Sequence, residues 1–248
     1  MRNNLRVLVT AGGTREDIDT VRSIANHSTG RLGCLISEEF IAAGAQVTLI
    51  YGEITATLPE KSQNIKIRTV AELKTALENL LNEKKYDIVI HSMAVSDFAP
   101  HSAIDADDLT QNILNEIYGL NLTEEETRRR IKNAIVSAPG GEEKKISSKS
   151  PFMTLILEQT PKVIKLIKEI QPNVTLVGFK LTSGASQNEL VFAAKTLINE
   201  NGCDFVLAND LSGISENTHK AILINGEGIL GEAAAKEDVA KMIFAHTA

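Results

Sequence analysis

The stretch at residues 26–33, NHSTGRLG, combines groups that could hold a phosphate. The hydroxyls of Ser28 and Thr29 can cap a helix, and Gly30 and Gly33 leave the backbone open to close approach. A helix that starts here presents unpaired N–H groups and the positive end of its dipole, which together favour an anion. The alternative is an ordinary helix cap followed by small residues that pack on a sheet, because short glycine motifs are not specific.

Three other segments could serve the same chemistry. Gly12 and Gly13 follow the first apolar run and permit a tight turn close to a ligand. Asp97, in HSMAVSDFAP, could bind a ligand hydroxyl, an amide or a metal, or it could simply cap a turn. The loop at 141–150, GEEKKISSKS, gathers lysines that suit a strap over phosphates, although its charge alone favours a solvated loop.

Two segments of the second half could complete a nucleotide site, namely 178–184 (GFKLTSG) and 207–213 (LANDLSG). Each ends a predicted strand with polar residues and a glycine. The chain has no GxxxxGK[ST], GxSxG or HExxH pattern, so P-loop, serine-hydrolase and zincin chemistry lack their signatures.

The elements that must position these segments alternate between short apolar runs and helical patterns. This β-α-β order predicts a doubly wound α/β protein with a mostly parallel sheet, Rossmann-like topology and helices on both faces. Ligands then bind at the carboxyl ends of the strands. The predicted strands are 5–10, 45–52, 86–94, 174–179 and 204–210, and the predicted helices are 32–44, 70–85, 160–170 with Thr160 as N-cap, and 186–202. The pattern closes with a hairpin from residue 220 and a last helix.

The segment at 101–140 is polar and looks helical in its middle. It has too few apolar residues for a core of its own. We therefore predict one domain over 1–248, with an insertion or flap at 101–150 that includes the flexible basic strap.

Composition excludes several classes of protein. The 248 residues carry a net charge of −6 and no Trp, which argues against a large nucleic-acid footprint. No segment approaches 18 consecutive apolar residues, and the N-terminus has no signal-peptide pattern. Cys34 and Cys203 stand alone, as in a reducing compartment. We expect a soluble, cytoplasmic protein.

Taken together, the blocks VTAGGTRE, VRSIANHSTGRLG, AVSDF, KKISSK, VGFKLTSG and DFVLAND resemble the phosphopantothenate–cysteine ligase family over nearly the whole chain. The resemblance implies a stand-alone ligase of coenzyme A biosynthesis without flavin. In that family the carboxylate of 4′-phosphopantothenate attacks a nucleoside triphosphate, and cysteine then attacks the acyl-nucleotidyl intermediate. Magnesium, with ligands that the sequence does not identify, would screen the phosphates.

The resemblance also assigns roles to single residues. Asn26 and Lys145 would be catalytic, the first at the activated carboxyl and the second on the strap. The substrate would be bound by Asn26, Ala94, Asp97 and an Arg22 from the partner subunit, which implies a homodimer with shared sites. The nucleotide would be bound by Gly12, Ser28, Gly30, Gly33, Asp97, Phe179, Lys180 and Asn209.

Some features leave the nucleotide and the reaction class open. The segments around Lys145 and Phe179 look like ATP-using eukaryotic relatives, whereas LAND looks bacterial, and CTP is favoured. A Rossmann-type NAD(P) oxidoreductase would need GxGxxG directly after the first strand, which AGGTRE does not provide. A non-catalytic nucleotide-binding module would bind CTP without releasing pyrophosphate.

Overall fold

The computed structural model describes residues 4–138, 151–214 and 218–248. These form two compact units, one drawn from Met1–Arg15, Asn26–Val95 and Lys162–Ala248, and the other from Glu16–Ala25 and Ser96–Pro161. The segment that we predict as an insertion in a single domain thus belongs to a unit that also takes in Glu16–Ala25.

The described residues contain twelve strands and seven helices. The strands are β1 (Arg6–Ala11), β2 (Arg15–Asp17), β3 (Ser23–Ala25), β4 (Gln46–Tyr51), β5 (Gln63–Lys66), β6 (Ile88–His91), β7 (Phe98–Asp105), β8 (Met153–Gln159), β9 (Thr175–Thr182), β10 (Phe205–Ile214), β11 (His219–Ile224) and β12 (Ile229–Ala233). The helices are α1 (Arg31–Ala42), α2 (Val70–Glu83), α3 (Ala106–Ile117), α4 (Glu124–Val136), α5 (Val163–Ile170), α6 (Gln187–Asn201) and α7 (Lys236–Thr247).

The first unit is built on an eight-stranded sheet with the order β5-β4-β1-β6-β9-β10-β11-β12. The strands from β5 to β10 are parallel, and β11 and β12 are antiparallel. In chain order the six parallel strands read 3-2-1-4-5-6, the order of the doubly wound dinucleotide-binding fold. The predicted fold class and the predicted C-terminal hairpin are therefore confirmed.

Both faces of this sheet are buried, which is why its central strands are continuous apolar runs. Helices α1 and α7 contribute to the core on one face, where the rings of Phe40 and Phe244 meet edge to face at 5.1 Å. Helices α2, α5 and α6 contribute to the core on the other face. Along β1, Val7 and Val9 point into the first core and Leu8 into the second, as the two-residue period of a strand requires.

The predicted start of the helix α5 is wrong. This helix begins at Val163 and has no side-chain cap, whereas Thr160 lies before it. The Thr160 hydroxyl donates to the carbonyl of Ser96, and its N–H donates to the carbonyl of Asp97 at 3.0 Å. A threonine followed by a proline is a common sequence at a helix start. Here the Thr160 hydroxyl bonds to the segment after β6 and therefore does not cap the helix.

The second unit contains the antiparallel pairs β2–β3 and β7–β8 and the helices α3 and α4. Helix α4 begins with a capping box in which Thr123 and Glu126 satisfy each other's backbone N–H groups. No residue of α3 is buried, and several large apolar side chains of this unit are exposed: Val21, Phe98, Leu114, Tyr118, Leu120, Val136, Phe152, Met153 and Leu157. Among the described residues of the chain, no helix is both long and apolar enough to cross a membrane.

Candidate functional site

The loops that follow β1, β4 and β6 are joined by backbone hydrogen bonds at the carboxyl edge of the sheet, and we call this set of bonds the clasp. Gly13 exchanges two backbone hydrogen bonds with Glu53, at 3.2 and 3.0 Å. On its other side the Ala94 N–H donates to the Gly12 carbonyl at 2.8 Å, and the Thr14 N–H donates to the Ala94 carbonyl at 3.1 Å. The strands β1 and β6 lie on either side of the point where the chain reverses its direction across the sheet, which is where doubly wound proteins bind ligands.

Three of the predicted glycines are required by the packing of this edge. Gly12 and Gly30 have φ angles of 81° and 72°, and a Cβ on either would lie within 2.5 Å of Ile54 Cγ2. A Cβ on Gly33 would lie 2.5 Å from the Cβ of Ala11. Internal packing therefore accounts for all three without a ligand, and their part in nucleotide binding stays a prediction.

The helix α1 starts where the NHSTGRLG motif predicts. Its N-cap position is Gly30, and no side chain makes a capping hydrogen bond of normal length there. The hydroxyls of Ser28 and Thr29 accept from the N–H groups of Gly30 and Arg31 only at 3.4 Å. The first turn thus keeps the weakly satisfied N–H groups that an anion would use.

Asn26 lies beside this clasp in an exposed position. Its Nδ2 donates to the Val95 carbonyl at 3.0 Å, which among the described residues is the one hydrogen bond of this side chain. Its main-chain oxygen lies against Gly13, 2.6 Å from where a Cβ on that glycine would stand. This hydrogen bond orients the carboxamide. Its second N–H and its oxygen remain able to form hydrogen bonds with a ligand.

The strands β9 and β10 bring the predicted nucleotide-binding residues of the second half to the same edge. Phe179 pairs with Leu207 and Lys180 with Ala208, so these side chains alternate between the two faces. Phe179 packs against the core on the α1 and α7 side, and Asn209 is buried. Their contact with a nucleotide stays a prediction.

Asp210, which the sequence analysis did not single out, organises the loop after β9. Its carboxylate accepts from the hydroxyls of Thr182 and Ser212, each at 2.7 Å, and from the N–H groups of Gly184 and Ala185. These hydrogen bonds, with that of Thr182 the largest contribution, lower the pKa of Asp210 well below its usual range. The carboxylate stays ionised and closes the loop.

The remaining predicted residues lie in the second unit or outside the described residues. Arg22 lies in the turn between β2 and β3, where its Nη2 and Nε donate to Asp19 Oδ2 at 2.7 and 3.1 Å. The Asp19 side chain is fully buried and also accepts from the N–H groups of Val21 and Arg22. Asp97 is exposed. Lys145 lies outside the described residues.

A cleft of about 710 Å³ lies along α1 and the start of α7. Of the residues that the sequence analysis names, it contains Thr29 and Cys34, and its lining consists of Thr29, Arg31, Cys34, Leu35, Glu38, Thr55, Ala56, Thr57, Ile214 and Lys236. We place the candidate site at the strand ends joined by the clasp instead, because Asn26 lies against Gly13 there and the start of α1 lies against Gly12.

In the part of the chain that the structure describes, no three His, Cys, Asp or Glu side chains gather as a metal cluster would. A magnesium ion that accompanies a nucleotide is commonly held by phosphates and water with one or two carboxylates. Magnesium at the candidate site therefore stays a prediction.

A second feature that the sequence analysis passed over is His91, the last residue of β6. It is buried, and its Nδ1 lies 3.0 Å from the Thr10 hydroxyl oxygen on the neighbouring strand β1. Burial lowers the pKa of His91 to about 4, so the ring is neutral in the folded protein at neutral pH. The one sequence signal that this histidine is buried is its position directly after the apolar residues Ile88–Ile90.

We expect the folded state to lose about 2 kcal/mol of stability between pH 7 and pH 5 from His91 alone. The unfolded pKa is near 6.5 and the folded pKa is about 4, so the unfolded chain takes up the proton first as the pH falls. Urea denaturation at both pH values measures this loss. His219, whose pKa is also lowered by burial and then by Lys236, adds a loss of the same sign.

The variant His91→Leu is the matched comparison for this measurement. It lowers stability at pH 7 but removes the contribution of His91 to the pH dependence, so its loss between the two pH values is smaller by about 2 kcal/mol. An unchanged pH dependence in this variant would contradict a buried, neutral His91.

The fold defines a Rossmann-like, doubly wound protein, and its candidate ligand site lies at the switch point between β1 and β6. The chain belongs to the family described as "DNA/pantothenate metabolism flavoprotein C-terminal domain", whose model matches residues 2–126 and 134–248.

Solved structures and curated relatives agree with this family. The crystal structure of the DNA/pantothenate metabolism flavoprotein from Streptococcus pneumoniae is 31% identical, with a TM-score of 0.82 over 98% of this chain and 97% of that chain. The coenzyme A biosynthesis bifunctional protein CoaBC from Thermococcus kodakarensis is 38% identical over 220 residues, or 88% of this chain and 44% of the relative. The chain thus spans about half the length of the curated relatives it matches.

Proposed function

We propose that this chain is a phosphopantothenate–cysteine ligase that acts in coenzyme A biosynthesis. The observation that carries the proposal is the tethered Asn26 carboxamide beside the clasp of Gly12 and Ala94, close in sequence to a helix start that can take a phosphate. Family membership supports it, as does the name of the curated relatives, coenzyme A biosynthesis bifunctional protein.

The proposed reaction asks for positioning more than for covalent chemistry. The carboxylate of 4′-phosphopantothenate attacks the α-phosphate of a nucleoside triphosphate, which forms an acyl nucleotide and releases pyrophosphate. The cysteine amine then attacks the acyl carbon, so that the amide forms and the nucleoside monophosphate leaves. Donors held in place around the reacting anions lower both barriers.

Asn26 would donate to the oxygen that gains charge at the acyl carbon. An amide suits this role because it offers a hydrogen-bond donor without adding a negative charge. The first turn of α1 and its Ser28 would hold phosphate oxygens, Ala94 and Asp97 would contact the substrate, and Lys145 would neutralise phosphate charge. Phe179 and Asn209 would lie near the base and ribose, Lys180 would also contact the nucleotide, and Mg²⁺ would screen the phosphates when bound.

We also propose that the chain acts as a homodimer in which Arg22 reaches the substrate phosphate of the partner's site. The second unit exposes large apolar side chains, and such side chains mark a protein interface where they form one contiguous patch. The two free, buried cysteines, Cys34 and Cys203, are consistent with a reducing, cytoplasmic setting.

With CTP as the nucleotide, we expect pyrophosphate release that depends on both 4′-phosphopantothenate and cysteine for sustained turnover. We expect kcat/KM to be about tenfold or more higher with CTP than with ATP, since the LAND segment favours CTP. A tenfold preference requires only about 1.4 kcal/mol of differential binding, which one or two hydrogen bonds to the base can supply. A coupled pyrophosphate assay with each nucleotide measures the ratio.

The outcomes separate the alternatives. CTP binding without pyrophosphate release would leave a non-catalytic nucleotide-binding module. A nicotinamide fluorescence change on adding NAD(P)H, without ligation, would favour an oxidoreductase. A ratio below one would reverse the nucleotide preference but keep the ligase.

A further inference from the structure

We infer that the buried pair Thr10–His91 is a positioning device that holds the segment Ser92–Val95, and through it the Asn26 carboxamide, in its working geometry. The inference rests on the proposed function for what Asn26 does. The placement itself rests on contacts within the first unit alone.

The pair occupies the point at which β1 and β6 end side by side. Thr10 and His91 are register partners of these two parallel strands, and both are buried. The Thr10 hydroxyl oxygen accepts from the Met93 N–H at 3.3 Å and meets His91 Nδ1 at 3.0 Å. The described residues provide that hydroxyl with no other acceptor. Its proton is therefore directed at Nδ1, and the ring carries its own proton on Nε2.

Each of the four residues from Ser92 to Val95 makes a hydrogen bond, and the last of these bonds reaches Asn26. The Ser92 hydroxyl donates to the Thr10 carbonyl at 2.6 Å, next to the Met93 N–H held by the Thr10 side chain. One residue later Ala94 joins the clasp with Gly12, and Val95 accepts from Asn26 Nδ2 at 3.0 Å. Val95 also packs against the core that contains Met93.

His91 is suited to this task by its burial. Its pKa of about 4 keeps the ring neutral at neutral pH, so one ring nitrogen is an acceptor, and with that acceptor at Nδ1 the ring fixes the rotation of the Thr10 hydroxyl. A hydroxyl held in this way keeps a lone pair towards the Met93 N–H. Without that acceptor the N–H would be buried and unsatisfied, and the segment would move to reach another partner.

We expect Thr10→Val to lower kcat for ligation about tenfold while KM for 4′-phosphopantothenate changes less than about twofold. Displacement of a catalytic group by a fraction of an ångström costs a factor of this order, and a group that acts in the transition state changes kcat more than KM. Thr10→Ser keeps the hydroxyl and should retain most of kcat. His91→Leu should lower kcat as Thr10→Val does, whereas His91→Asn, whose side chain can still present an acceptor near the Nδ1 position, should recover part of it.

Thr48→Val is the matched control for loss of a buried threonine hydroxyl. Thr48 lies within β4, is buried, and accepts from the Tyr86 hydroxyl at 3.2 Å. This variant should lose a comparable amount of stability to urea but keep the kcat of the wild type. Equal losses of kcat in Thr10→Val and Thr48→Val would show that general destabilisation is the cause and would overturn the inference.

Hydrogen exchange provides a readout that does not depend on activity. In Thr10→Val, amides of residues 92–95 should exchange faster than in the wild type, while those of α2 should not change. If the wild type does not ligate but this local effect appears, the proposed function fails and the positioning holds. If the wild type ligates and Thr10→Val keeps both its kcat and its protection, the positioning is wrong and the proposed function stands.

Discussion

Asn26→Asp is expected to lower kcat for ligation about 100- to 1,000-fold, the range measured when one donor to a developing oxyanion is removed from other enzymes. The replacement exchanges the NH₂ group for a second carboxylate oxygen. That oxygen cannot donate to the Val95 carbonyl, which Nδ2 now meets at 3.0 Å, and it adds a negative charge where two anionic substrates must meet. A coupled pyrophosphate assay and a direct assay for the amide product measure both half-reactions.

The two half-reactions will show at which step Asn26 acts. If its main contribution comes after the acyl nucleotide has formed, Asn26→Asp will release about one equivalent of pyrophosphate per site and then stall before the amide appears. If it contributes to the first attack, both products will slow together. Either result supports a role at the activated carboxyl.

The fold should tolerate this change because Asn26 is exposed and its side chain has one hydrogen bond. We expect the free energy of unfolding to fall by less than about 1.5 kcal/mol, the net value of one hydrogen bond. Asn173→Asp, at another exposed asparagine, controls for the added charge and should keep full activity. Wild-type activity in Asn26→Asp would remove Asn26 from the chemistry.

The sequence predicts the large elements of the first unit because each carries its own local signal. The apolar run of β1 and the buried stripe of α2, from Val70 to Leu81, are readable without knowledge of their neighbours. The pair β7–β8 was not predicted, because 47 residues lie between the end of one strand at Asp105 and the start of the other at Met153, and only their pairing defines them.

The candidate site also contains contacts that the sequence does not predict. The motif NHSTGRLG predicts the start of α1, but it does not reveal that Ile54 fills the space beside Gly30. Thr10 and His91 are 81 residues apart, and neither local segment predicts that their side chains are in contact. Contacts set by strand register are therefore the part of the site that the sequence alone leaves out.

Gly30→Ala is expected to lower the free energy of unfolding by about 2 to 5 kcal/mol. Part of the cost, about 1 to 2 kcal/mol, is the left-handed backbone that the φ of 72° imposes on a residue with a side chain. The rest comes from Ile54, whose Cγ2 and Cβ would lie 2.3 and 2.9 Å from the new methyl group, and overpacking of this kind costs about 1 to 3 kcal/mol. Urea denaturation at pH 7 measures the total.

Gly44→Ala separates the two contributions, because Gly44 has a φ of 87° and no atom within 4 Å of the position that a Cβ would take. This control should therefore lose only the backbone part. In the double variant Gly30→Ala/Ile54→Ala the closest contact is removed, so the combined loss should be smaller than the sum of the two single losses. If Gly30→Ala instead matched Gly44→Ala in stability and lost only nucleotide affinity, Gly30 would serve the ligand and not the packing of Ile54 against the start of α1.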